Sequence, residues 1–332
     1  MATTLMRIAL QPLYREANDA HPGLLIQRGL AVYDQDSEDG REAKTRHLQR
    51  ICAIPASDFY QHAYARWETA TTTPARFRQV RLELLTRLFI GLTGGGMLET
   101  GCAISHSYGT PYIPGSSLKG VVRGHVRGST FAQTNPGVIA ELFGVDANPD
   151  GPYPGGLSGL VSFHDAWWVP GSADTPLVEE VVTTHHLDYY GQEGRVPASD
   201  TDSPIPNAQL AVRGRFLFVL EGQPAWLDLA EQMLLAALSD QGIGAKTRTG
   251  YGLFDPIPKV PARPTCAWVD ATIASLAQKN HASELDTLRG KALAEAWSAL
   301  TDPALKAEAL ADIQARWQEK QWWDQQFPAK NF

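Results

Sequence analysis

The sequence predicts an α+β fold in which two strand–helix–strand units share one sheet. Two observations carry this. Between about residues 80 and 257 the apolar pattern moves from short runs or alternation to helical spacing and back, twice, in the order strand, helix, strand, strand, helix, strand. Both helical stretches also carry terminus signals, a serine pair ahead of the first and a proline before, with a glycine after, the second. This β-α-β-β-α-β order is that of the split β-α-β, ferredoxin-like arrangement.

Residues 86–92, "TRLFIGL", are short and apolar and run toward three glycines, as a buried strand does. In "SSLKGVVRGHVRGSTF", Leu118, Val121, Val122 and Val126 fall on one arc, which predicts a helix from about Ser117 with Ser116 or Ser117 as its cap. "GLVSFHDAWWV" (159–169) and "AQLAVRGRFLFVLEG" (208–222) alternate apolar with polar or small residues, the pattern of half-buried strands. "PAWLDLAEQMLLAALSDQG" is an amphipathic helix opened by Pro224 and closed by Gly242. "YGLFDPIP" follows as a short strand stopped by prolines.

This core, residues 76–262, carries two loop insertions rich in proline and glycine, at 147–156 and 191–207. Residues 1–75 form an N-terminal, largely helical extension, with helix expected between Arg41 and Thr69. Residues 263–332 form a helical C-terminal extension, with Leu285, Leu288, Leu293, Trp297 and Leu300 on one face. Its last tryptophans, Trp317, Trp322 and Trp323, either pack in their own core or fill a neighbour's groove.

Composition narrows the function. Of 332 residues, 43% are hydrophobic and 20% charged, as in an ordinary globular chain. No apolar run is long enough for a membrane span, and the N-terminus lacks a signal-peptide pattern. Three scattered cysteines, Cys52, Cys102 and Cys266, give neither a zinc motif nor a disulfide framework and suit a reducing cytoplasm. A net charge of −7 argues against a nonspecific nucleic-acid coat. The cations are nevertheless grouped: residues 112–131 hold Lys119, Arg123 and Arg127 and no acid. An acidic protein with basic seams fits a subunit that grips nucleic acid along one face.

"GIGAKTRTGYG" (242–252) sharpens this, with four glycines, two cations and no acid. It is not a P-loop, because Ala245 separates glycine from lysine, and a helix enters it where a strand should. It is not a dinucleotide fingerprint, which must open a helix rather than close one. What remains is a tight turn whose glycines admit a ligand's backbone beside Lys246 and Arg248, or else a plain glycine cap and surface turn. Lys119, Arg123 and Arg127, four residues apart, form a second basic stripe, or a solvated face of unusually single sign. Gly120, Gly124 and Gly128 repeat at the same spacing. Each costs about 1 kcal/mol inside a helix, which suggests that another backbone packs there.

"RLFIGLTGGG", "YGTPYIPGSSLKGVVRGHVR", "LFG", "FHDA" and "GIGAKTRTGYG", in that order, resemble the RAMP superfamily of CRISPR-associated RNA-binding proteins. "PYIPGSSLKG", "TTHHLDYY" and the proline-bearing stretch after it are most similar to the sixth subunit of the type III-B (Cmr) effector complex. The resemblance covers about residues 80–257 and implies an RRM-like ferredoxin core. It further implies a noncatalytic subunit that holds the backbone of the CRISPR guide RNA (crRNA) toward its 3′ end, with target RNA in the guide duplex. The partners implied are the repeated backbone subunit and the first subunit, with no membrane and no cofactor or metal. By motif, Gly242, Gly244, Lys246, Thr247, Arg248 and Tyr251 would line the guide, as would Ser116, Ser117, Lys119, Arg123 and Arg127. Phosphate contacts of this kind bind without reading bases. Tyr251 or His106 is available to stack on a base, Tyr251 being equally suited to the core. The 191–207 insertion is the candidate protruding thumb.

The competing class is a RAMP-type endoribonuclease acting on guide precursor or target RNA. Its candidate residues are His185, His186 and Asp165, with His164 and Asp188 nearby in sequence. Adjacent histidines in a strand point to opposite faces, so one at most faces a given site. Asp165, in a tryptophan-rich strand, suits a structural hydrogen bond. Asp34, Asp36 and Asp39 form an acidic loop, read as solvated.

Overall fold

Val80 and Leu82 turn inward along Phe77–Glu83 while Gln79 and Arg81 stay partly exposed, and this strand seeds the main sheet. The computed structural model describes residues 3–16, 20–34, 37–92, 98, 100–184, 189, 191, 195–197, 199, 205–257 and 266–319. Its contacts fall into two compact units, Met1–Lys259 and Val260–Phe332.

In chain order, β1 (Thr3–Thr4), α1 (Gln11–Glu16), α2 (Pro22–Arg28), β2 (Val32–Tyr33), α3 (Glu38–Cys52) and α4 (Asp58–Ala70) lead to β3 (Phe77–Glu83). Next come β4 (Tyr112–Ile113), α5 (Gly115–Arg127), α6 (Thr130–Thr134), α7 (Pro136–Phe143), β5 (Gly144–Val145) and β6 (Leu157–Ser158). Then follow β7 (Ser162–Phe163), β8 (Ala166–Trp168), β9 (Leu177–Thr184), β10 (Ile205–Val212), β11 (Arg215–Glu221) and α8 (Pro224–Asp240). The main sheet has the order β3-β11-β8-β4, all antiparallel, with β7 also on β11. A single bridge, Leu84 to Phe254, adds a position beside the end of β3.

Several sequence expectations shift. Residues 86–92 are not a regular strand: β3 precedes them, and Leu88 and Phe89 make only isolated bridges, although both are fully buried. The alternating run 208–222 breaks at Gly214, whose φ of +100° turns the chain between β10 and β11. β10 begins at Ile205, inside the stretch expected to be a loop, and pairs along its whole length with β9 in a two-stranded ribbon. The 147–156 insertion connects the short β5–β6 pair. The strand after the glycine loop is reduced to the bridge at Phe254.

Both faces of the sheet are covered, which is why Phe216 to Leu220 are buried without alternation. Register separates the faces. Phe216 and Phe218 lie opposite Leu82 and Val80, and their rings meet Phe254 edge-on. Leu217 and Val219 lie opposite Arg81 and Gln79, on the face that α4 covers. There Arg81 pairs with Glu68 at 2.6 Å, Gln79 donates to the Glu68 carbonyl, and Trp67 stacks on Trp167. α4 itself is capped by Ser57, whose hydroxyl accepts from the Tyr60 N–H.

The second unit has its own core: Val269, Ile273, Leu288, Leu293, Ile313 and Trp317. It is built from α9 (Ala267–Asn280), α10 (Glu284–Arg289), α11 (Lys291–Ser298) and α12 (Pro303–Glu319). Trp317 is fully buried there and donates to the Leu288 carbonyl. Trp322 and Trp323 lie outside the described residues.

Candidate nucleic-acid interface

Where α8 ends, Gly242 takes φ +69° and its N–H donates to the Ala237 carbonyl, the glycine stop seen in the sequence. The loop beyond is stitched to its own chain. Ile243 donates to Gly252, Ala245 to Phe89 at 2.7 Å, and Gly252 to Arg87 at 2.8 Å. A Cβ on Gly244 would lie 2.1 Å from the Phe89 oxygen, and one on Gly252 would lie 2.0 Å from the Ile243 oxygen. Gly242 is likewise closed off, by the Gly252 oxygen at 2.7 Å. This corrects the expectation that the glycines admit a ligand's backbone: three of the four admit this chain's own, and Gly250 alone has open space.

The tip is what the loop presents. Lys246 sits in the left-handed region at φ 59° and opens a 3-10 turn, Thr247–Thr249. The Thr249 N–H and hydroxyl both donate to the Lys246 carbonyl. The turn leaves Lys246 and Arg248 exposed, with Thr247 half-buried. Tyr251 points the other way and packs on Phe89, ring centroids 4.6 Å apart. Burial, with Glu180 nearby, raises its pKa, so it stays a neutral phenol.

α5 forms with Leu118, Val122 and Val126 buried. Neither Ser116 nor Ser117 caps it. The helix begins at Gly115, whose N–H donates to Asp165 Oδ1 at 2.8 Å, so the cap arrives from fifty residues downstream. Ser116 is exposed and Ser117 half-buried. Arg123 and Arg127 are exposed and Lys119 half-buried. Among the described residues nothing lies within 4 Å of a Cβ added at Gly120, Gly124 or Gly128, so no described backbone packs on them. His125 and Asp240, 3.8 Å apart, tie the second half of α5 to the end of α8, just before the glycine loop.

Charge pairing separates the cations. Arg76, Arg78, Arg81 and Arg316 all sit on carboxylates. Among the described residues, Lys119, Arg123, Arg127, Lys246 and Arg248 have no acidic partner. Unneutralised cations along one helix and an adjoining loop tip can take charge-assisted bonds from an extended polyanion.

The third cluster surrounds the start of α5. His106 is exposed on a tight loop, 104–111, and meets the ring of His21 edge-on. Beside it, Tyr60, Tyr108 and Trp167 form a nest of rings 5.6 to 5.9 Å apart. A cavity of about 290 Å³ opens among them, with Asp165 and Tyr112 in its wall. Sequence reading reached His106 and Asp165 but not the aromatics. The available signal was Tyr60, Tyr64 and Trp67 at helical spacing and the Trp167–Trp168 pair. His164 bonds Glu221 at 2.9 Å, and Arg76 and His164 together hold the Glu221 carboxyl below its usual range. His185, His186, Asp188 and Asp36 lie outside the described residues, as does most of the 191–207 insertion. Among the described residues no group of three histidine, cysteine or acidic side chains could hold a metal ion. No described helix is long and apolar enough to cross a membrane.

Comparison with known proteins gives three kinds of match. The sequence model of the RAMP superfamily matches residues 81–255, more than half of the chain. Cmr6, a subunit of the CRISPR Cmr system of Pyrococcus furiosus, is 29% identical over 220 residues, covering 50% of this chain and 64% of that protein. Cmr6 of Saccharolobus solfataricus is 26% identical over 176 residues, covering 51% and 54%. The chain therefore spans between half and two thirds of the length of these relatives. Among solved structures, a chain of the type III-B Cmr-beta complex bound to cognate target RNA aligns at TM-score 0.49 and 20% identity, covering 68% of this chain and 76% of that one. The crystal structure of Cmr6 from P. furiosus aligns at TM-score 0.31 and 28% identity, covering 54% and 97%.

Proposed function

Because the chain belongs to the RAMP superfamily, we propose that it is a noncatalytic RNA-binding subunit of a type III-B CRISPR (Cmr) effector complex. In this reading it grips the crRNA backbone toward the 3′ end and caps the filament of backbone subunits, in antiviral defence in the cytoplasm. Its neighbours are the repeated backbone subunit and the first subunit, with target RNA paired to the guide. Similarity to two Cmr6 proteins supports the assembly. The antiparallel order, with the Phe254 bridge outside β3 and β11 between β3 and β8, supports a ferredoxin-like core.

The observation that carries the reading is the unpaired cations of α5 and the loop tip. They lie along one helix and one adjoining loop tip, exposed or half-buried and without an acidic partner among the described residues, on surfaces open to an extended strand. α4 lies over much of the sheet face that the RRM mode uses, which favours the cations of α5 and the loop tip as the main grip. Phosphate contacts from Lys119, Arg123, Arg127, Lys246 and Arg248 hold any guide sequence alike. Asp165 is engaged by the start of α5, which argues for a structural carboxylate over a catalytic one.

The test is guide retention. Lys246→Ala with Arg248→Ala should weaken crRNA binding and reduce the slope of log affinity against log salt by about 1.4, two phosphates' worth on a single strand. Unchanged retention and slope would overturn the grip. Cleavage of single-stranded RNA by the purified protein, abolished by His185→Ala or His186→Ala, would replace this reading with the ribonuclease.

A further inference from the structure

The aromatic cavity at the start of α5 is unaccounted for by phosphate gripping. Its volume, about 290 Å³, lies at the lower end of ligand pockets, about 300–1,000 Å³, and suits one flat ring system. Trp167 stands on a face that α4 otherwise covers, stacked with Tyr60 at an interplanar angle of 16° and with Trp67 at 21°. Tyr108 comes in from the 104–111 loop, tilted 47° to Trp167. The loop is held by Gly109 at φ +71°, where a Cβ would sit 2.9 Å from Pro22. The cavity leaves the rings of Trp167, Tyr60 and Tyr108 reachable from outside.

Its polar wall is specific. Asp165 is exposed, and one of its oxygens accepts from Gly115. The other, Oδ2, has no partner among the described residues. A carboxylate only accepts, so it favours a ring that presents neighbouring N–H donors. Guanine offers N1–H beside its exocyclic amine, whereas the N3–H of uracil is flanked by two carbonyls that a carboxylate repels. An aromatic nest with a carboxylate also suits a cation, but the helix that begins here carries Lys119, Arg123 and Arg127 unpaired, which discourages a cationic partner.

We propose that this cavity takes one unpaired purine base of the bound RNA, guanine first, slotted against Trp167 and Tyr108 with its N–H edge on Asp165. The proposal rests on the reading of the chain as an RNA-binding subunit. The backbone of the same strand then continues from the cavity along α5, whose far half adjoins the glycine loop. Base stacking supplies affinity, and the carboxylate adds a preference that phosphate contacts lack.

The experiment uses the full chain and short uridine-rich RNAs that differ at one position: guanine, uracil or an abasic site. Guanine should bind about tenfold tighter than either alternative. Asp165→Asn should remove the guanine-over-uracil preference and keep the loss at the abasic site, whereas Tyr108→Leu should shrink the guanine-over-abasic difference; the asparagine oxygen still accepts from Gly115, so α5 keeps its start. Lys246→Ala with Arg248→Ala should weaken all three RNAs and leave the difference in place. A 2-aminopurine at the same position, whose fluorescence stacking quenches, should be quenched in the unsubstituted chain whatever the variants do to folding. RNA bound equally with or without the base, and unquenched, overturns the cavity assignment while leaving the grip intact. No RNA bound at all overturns both. If Tyr108→Leu instead abolishes co-purification of a protein subunit and no base preference exists, the cavity belongs to a protein side chain and the proposal is wrong.

Discussion

Gly244 shows how a residue reads correctly in one respect and wrongly in another. Four glycines in eleven residues signal positive φ and close approach, and both are present. The partner in that approach is Phe89 of the same chain, which no local pattern reveals, because the pairing joins residues more than 150 apart in sequence. Gly244→Ala must place a Cβ 2.1 Å from the Phe89 oxygen at φ +98°. It should cost more than about 2 kcal/mol, seen as a lowered denaturant midpoint, through folding rather than RNA contact. His47 is a second residue whose role only the fold discloses. Its Nε2–H donates to the Leu25 carbonyl at 3.0 Å, and Nδ1 accepts from the Tyr14 hydroxyl, a tautomer fixed by the carbonyl's inability to donate. Burial, the larger effect, and Arg50 lower its pKa from 6.5, against the opposing Leu25 bond. The sign follows. Below 6.5 the unfolded chain takes a proton that the folded chain refuses, so stability present above 6.5 falls as the pH drops toward the lowered value, by at most about 1.4 kcal/mol per pH unit. A melting series through that window, flatter for His47→Gln, checks it.

At the scale of elements, what is local was legible. α5 and α8 appear where apolar spacing and their flanking residues put them, because helix periodicity and stop signals act within a few residues. Three features were not. The cap of α5 comes from Asp165 and not from its own serines. The break at Gly214 divides one alternating run between two sheets. The β9–β10 ribbon draws one strand from a stretch rich in proline, where composition favours a loop. Each depends on a partner far away in sequence. Gly120 and Gly124 pose an opposite case, since their spacing suggested a neighbour and the described residues supply none. In an exposed helix interior, Gly120→Ala with Gly124→Ala should stabilise the chain by about 1 kcal/mol each. If the guide lies on this face, as proposed, the two added methyls crowd it. The double variant is therefore expected to melt higher yet recover less crRNA on purification. Melting and RNA yield, measured on the same preparation, check both halves.

At the scale of the whole molecule, the chain holds two compact units with separate cores. The second is stabilised by an ion network that its sequence did not announce. Asp312 is fully buried, and its carboxylate accepts from Arg316 Nε and Nη2 and from the Cys266 N–H. Arg316 also donates to Asp270. These bonds raise the Arg316 pKa, the Asp312 hydrogen bond being the largest cause, so the guanidinium stays charged at any working pH. Asp312→Ala leaves the nearly buried Arg316 with the exposed Asp270 alone and the Cys266 N–H without its acceptor, which costs up to about 3–5 kcal/mol. A unit of this size has roughly 4–10 kcal/mol in total, so Asp312→Ala takes much or all of it. The expected result is loss of the Val260–Phe332 fold, read by limited proteolysis, while Met1–Lys259 keeps its own protection because its core contains none of these residues. Asp312→Asn preserves shape and one acceptor and should lose less. If crRNA retention survives Asp312→Ala at unchanged salt dependence, the grip resides wholly in the first unit, where the unpaired cations are. A parallel loss of RNA and of the second unit's fold would instead make the helical extension part of the RNA-binding machinery.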